Sequence, residues 1–134
     1  MASMSNYLEN ALLNAVLRGV AYTSPAKVYL ALYTSDPTDA DTGTEVSGGS
    51  YARQEVAFSA PTDGSASNSA EIKFPVCTAD WGTVTHVGVR DASPGGNLLY
   101  HAAADPAKPY DVADQFVMAA GTFTLQHKQR RGKR

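Results

Sequence analysis

Four carboxylates crowd residues 36–45: Asp36, Asp39, Asp41 and Glu45. Hard cations such as calcium want several oxygen ligands on a flexible turn, and Asp39-x-Asp41-x-Gly43 faintly resembles the start of such a loop. A third ligand and the distant bidentate glutamate are missing from the spacing. A plain solvated loop is therefore the expectation, with calcium the weaker alternative. His86 and His101 fall on the two arms of one predicted hairpin. If Asp91 pairs with Asn97 across its turn, His101 stands opposite Val87, and His86 points to the other side of the sheet. One register slip would bring the two imidazoles together. With Cys77 elsewhere and no closely spaced Cys/His pair, ordinary hydrogen-bonded strand histidines are expected before zinc. The chain has no Gly-x-Ser-x-Gly elbow and no phosphate-cradling glycine loop; Gly48-Gly49 reads as a turn. No catalytic residue, metal ligand or cofactor is assigned.

Charge is the other chemical signal. All thirteen acidic residues precede Gln126, and Lys128, Arg130, Arg131, Lys133 and Arg134 crowd the last seven positions. Six basic residues then face thirteen acidic ones in the body, a charge of −7, against +5 in the tail. The tail reads first as a loose solvated end; because arginine binds carboxylates well, the alternative is a clamp on an acidic protein surface, a neighbouring copy included. The acidic body and the lack of interleaved aromatics argue against nucleic acid.

The elements that must position these groups are mostly strands. Trp81–Ala103 organises them: Thr83–Asp91 and Asn97–Ala103 flank Ala-Ser-Pro-Gly-Gly, the composition of a β-hairpin. Trp81 itself reads as a core or edge anchor. Upstream, Asn6 and Glu9 have the spacing of a capping box, and Leu8, Leu12 and Val16 recur every four residues before Gly19. This predicts an amphipathic helix over 6–18, its stripe covering the sheet or docking on a partner. Residues 1–5 are expected to be loose. Lys27–Thr34, Tyr51–Phe58, Ala70–Val76 and Gln115–Leu125 read as further strands, with loops at 36–50, 60–68 and 105–109. Gly121 suggests a bend in the last of them.

The fold class that follows is mainly β: an antiparallel β-sandwich, jelly-roll-like or an open barrel, with one N-terminal amphipathic helix. The expected layout is a single domain over 1–125 and a basic tail over 126–134. A single cysteine excludes a disulfide-stapled scaffold, and no apolar run nears the roughly 20 residues that cross a bilayer.

SNYLENALLNAVLRG (5–19), VYLALYTSDPTDADTGTEVSGG (28–49), YARQ (51–54) and DWGTVTHVGVR with GGNLLYH (80–90, 95–101) resemble a family of small tailed-bacteriophage virion structural proteins. Members are often labelled tail-fibre or minor structural proteins. The resemblance covers about residues 5–125; similar sequences end on an apolar strand near Leu125, whereas this chain adds Gln126–Arg134. It implies a non-enzymatic virion component made in the host cytoplasm. Its partners would be other virion proteins, either the major capsid protein or tail subunits, and further copies of itself.

Capsid decoration is placed first, because a chain with no heptad, collagen-like or repeated segment offers no fibre shaft. A tail-fibre or adaptor subunit is the alternative. A carbohydrate-binding module or small esterase trails both. The expected contact residues are Leu8, Leu12 and Val16 on the helix, Asp36, Asp39 and Asp41 in the loop, and the five basic residues of the tail.

Overall fold

A computed structural model describes residues 2–126, so the basic tail, with Lys128, Arg130, Arg131, Lys133 and Arg134, lies outside the described residues. Its elements are β1 (Ser3–Met4), α1 (Asn6–Leu17), β2 (Val28–Tyr33), β3 (Gln54–Val56), β4 (Ser65–Ser67), β5 (Ile72–Lys73), β6 (Gly82–Arg90), β7 (Leu98–Tyr110), β8 (Val117–Met118) and β9 (Thr124–Gln126). Every strand pairing is antiparallel. One sheet runs β1-β7-β6-β2-β3; β4-β9 and β5-β8 form two small sheets. Among the described residues the fold is a β-sandwich with one N-terminal helix, the class that the sequence patterns predict.

The alternation in β2 decides what each face of the large sheet does. Leu30 and Leu32 face one way with Val87 and Val89 of β6, and join Ile72, Phe74, Trp81, Phe116 and Phe123 in the main core. Burial of each such side chain contributes about 1.5–3 kcal/mol. Phe74 is its hub, stacked on Tyr51 at 6.0 Å and meeting Phe116 edge-on at 5.4 Å and Trp81 at 6.4 Å. The Trp81 indole N–H donates to the Gly49 carbonyl at 2.9 Å. Gly49 has φ +58°, and a Cβ there would sit 2.8 Å from Trp81 Nε1, so only glycine fits. Cys77 is buried beside this core, its backbone N–H bonded to the Asp114 carbonyl. The other face of β2 carries Ala31 and Tyr33, which pack with Leu98 in a second apolar cluster.

Several boundaries differ from the sequence reading. The N-terminal segment is no loose end: Ser3 and Met4 pair with His101 and Tyr100. Ser5, not Asn6, caps the helix, because its hydroxyl accepts the Leu8 N–H at 3.2 Å and donates to the Leu98 carbonyl at 2.5 Å. It thereby ties the helix start to the sheet. Ser5→Ala is expected to cost about 1–2 kcal/mol, read as a shift of the urea midpoint at unchanged slope. An unshifted midpoint would remove this tie from the argument.

The stretch 105–109 is strand, not loop: β7 runs on to Tyr110, with Ala104–Ala107 bulging opposite the lone Thr85. Within 60–68, Ser65–Ser67 pairs with Thr124–Gln126. Buried Asn68 fixes the neighbouring turn, donating to the Ala70 and Ala119 carbonyls and accepting from Phe123 N–H. The run at 115–125 is accordingly split into β8 and β9 around Gly121, as the bend predicted. Of Ala70–Val76, only Ile72–Lys73 is strand, and Val76 is half exposed.

Candidate functional site

The second face of the large sheet is covered by the acidic stretch 36–50, and charge sets the registration. Each of its four carboxylates meets a basic side chain from the sheet or from the segment leading into β3. Asp41 takes Arg90 in a two-pronged pair, Nη1 to Oδ1 and Nη2 to Oδ2, both 2.9 Å. Glu45 takes Arg53 in the same manner, with both contacts 2.7 Å. Asp39 Oδ1 lies 2.8 Å from His101 Nε2. Asp36 Oδ1 stands 3.8 Å from His86 Nε2 and 4.0 Å from His101 Nδ1. Planar guanidinium groups favour this two-point geometry, which fixes orientation as well as distance.

The same arginines hold the hairpin tip. Arg53 Nη1 donates to the Ala92 and Gly95 carbonyls at 2.7 Å, and Arg90 Nη2 donates to Gly96 at 2.9 Å. Arg90 Nη1 also donates to the Tyr33 hydroxyl. Loop 36–50 and turn 92–96 are therefore one polar block, joined through two side chains. Burial works against the Arg90 charge, but its bonds to Asp41 and Tyr33 prevail and raise its pKa. Burial, and then the bond to Glu45, push the Tyr51 hydroxyl far up. It stays protonated, donating to Glu45 at 2.6 Å while accepting the Leu32 N–H at 3.0 Å.

Burial alone would raise the Glu45 pKa, but hydrogen bonds from Arg53 and Tyr51 outweigh it and lower the value. A lowered folded-state pKa stabilises fully above the unfolded value, about 4.3, and that stability is lost as pH falls through the folded value. Thermal midpoints measured from about pH 7 down to about pH 3 should fall on the acid side. Glu45→Gln should be less stable at neutral pH and show a shallower acid limb. Equal acid limbs in the two proteins would exclude this role for Glu45.

The histidine geometry corrects the predicted register. Asp91 N–H does bond the Asn97 carbonyl at 3.2 Å, but Val89 then pairs with Tyr100 and Arg90 with Leu98. Leu99 is the extra residue of a bulge. His101 thus faces Gly88 instead of Val87, and joins His86 on the loop-covered side. The remaining ring nitrogen of His86, Nδ1, meets Thr85 Oγ1 at 2.8 Å. Among the described residues, no group of three or more His, Cys, Asp or Glu is disposed to hold a metal ion. The solvated-loop expectation gives way to a loop whose acids are engaged by partners.

The predicted contact residues separate into three fates. Leu8 is buried, and Leu12 packs partly buried against the core. Val16 is 77% exposed, with Leu13 and Leu17 beside it at 56% and 72%. Asp36, Asp39 and Asp41 act first within the chain, as described. Sequence reasoning missed Arg53 and Arg90 altogether. The available signal was an arginine closing the apolar run of β6, where a lone charge needs a partner.

A rigid end of this kind suits contact by shape and hydrogen bonding. Thr38, Ala40, Ser47 and the tip residues Ser93–Asn97 are exposed on loops whose backbone is already fixed, which lowers the ordering cost of binding. A search of curated proteins finds no match. Residues 3–126 match a family model described as Podophage GP4 fiber I protein gp80.

Proposed function

The chain belongs to that phage fibre family, a family of virion structural proteins, and from this we propose that it is a non-enzymatic tail-associated subunit, a fibre component or the adaptor beneath one. The family match is the observation that carries this reading. It favours the tail over the capsid decoration placed first on sequence grounds. That order rested on the missing shaft, and a globular subunit needs no shaft if it forms the base or the tip of a fibre. The polar block of loop 36–50 and turn 92–96 supports a contact role, since it presents a preformed surface. Its partners would be other virion proteins.

Labelling of the protein on purified particles tests the assignment. Signal is expected at the tail, and none on heads prepared without tails. Signal spread over the capsid surface would reinstate decoration. The enzymatic reading has its own check: hydrolysis of an ester or glycan by the intact protein, abolished in His86→Ala or His101→Ala, would overturn a purely structural role.

A further inference from the structure

Two apolar surfaces lack a cover among the described residues, and they match. On α1, Leu13, Val16 and Leu17 turn away from the core that takes Leu8 and Leu12. Glu9 lies on the same side, since positions 9, 13, 16 and 17 follow the i, i+4, i+7, i+8 spacing of one helix face. Glu9 is exposed, and no ion pair engages it among the described residues. The second surface is a groove of about 660 Å³ between β7 and the strands β8 and β9. Ala102 and Ala104 leave room along it, Phe116, Met118 and Phe123 supply apolar lining, and Lys108 is the one charged side chain lining it among those described. Lys108 sits over the Tyr110 ring at 5.3 Å and has no carboxylate partner among the described residues.

We propose that the occupant of this groove is α1 of a second copy, with Leu13, Val16 and Leu17 seated in it and Glu9 reaching Lys108. Charge decides the occupant: an apolar face carrying one acid meets an apolar groove carrying one base. An added strand fits less well, because the bulge at Ala104–Ala107 and the two prolines, Pro106 and Pro109, spoil the β7 edge for pairing. Helix and groove are different surfaces of one chain, so the contact is made either twice, reciprocally, in a two-fold dimer or head-to-tail in a ring or row. This does not depend on where the protein sits on the particle.

The test is the oligomeric state of the full chain, by sedimentation velocity across a concentration series, with circular dichroism as a check on folding. Wild type is expected to associate reversibly. Val16→Asp, at an exposed position, should weaken association about tenfold or more without altering the melt. Glu9→Lys and Lys108→Glu should each weaken it by about fivefold or less, and the double exchange should restore it. A wild type that stays monomeric at every concentration overturns the proposal, as does a double exchange no better than its parents. If Val16→Asp has no effect while removal of residues 127–134 changes association, the groove serves the chain's own tail, and the proposal also falls.

Discussion

Replacing Arg90 with methionine is expected to lower the unfolding free energy by about 2–4 kcal/mol and to release loop 36–50 from the sheet. The substitution strands the Asp41 carboxylate and takes a donor from both the Tyr33 hydroxyl and the Gly96 carbonyl. Two features keep the cost below that of a fully buried pair. The Asp41 side chain is 35% exposed and regains water, and Arg90 Nε is buried without a partner, so methionine removes that unmet donor. Hydrogen exchange separates loss of the loop from loss of the fold. The amides of Asp41, Thr42 and Thr44, bonded to Thr38 O, Pro37 O and Ser35 Oγ, should lose protection, while the amides of the β2–β6 ladder keep theirs. If the loop amides stay protected, Arg90 is not the clasp. Arg90→Lys should not rescue, because an ammonium cannot make the forked contact.

Phe74→Ala should be costlier still, about 3–5 kcal/mol, with a fall in melting temperature on the order of 10 °C. The ring is 1% exposed and touches Tyr51, Trp81 and Phe116, so its removal leaves a hole that three rigid rings fill poorly. The near-ultraviolet dichroism of the only tryptophan should weaken in step. Val76→Ala, two residues on but 48% exposed, is the control and should stay within about 0.5 kcal/mol. Equal effects at the two positions would mean that the aromatic hub has been misplaced.

These two residues also mark how far the fold could be read from the chain. Val28–Tyr33 and Gly82–Arg90 were legible because β-branched, aromatic and leucine residues are dense along both, as strands buried on two faces require. Ser65–Ser67 was not, since two serines around an alanine carry no hydrophobic signal and are held by their partner β9. Pro106 and Pro109 disguised the second half of β7 as a loop, though a bulged strand tolerates proline where no ladder bond is needed. The candidate site was half visible. Its acids were found as a group, but a one-residue bulge at Leu99 cannot be seen in composition, and it alone decides that His86 and His101 share a side. Gly88 records that arrangement afterwards: a Cβ there would stand 2.8 Å from both Leu98 and Tyr33.

Cys77 gives the molecule a built-in reporter. A thiol this enclosed, and unique in the chain, is out of reach of an alkylating reagent until the aromatic layer beside it parts. Trapping kinetics on the unmodified protein thus count openings of its interior one molecule at a time. They can do so inside an assembled particle, where bulk melting would confuse the subunit with its surroundings. Oxidising media, for the same reason, should not cross-link copies through sulfur while the native packing lasts.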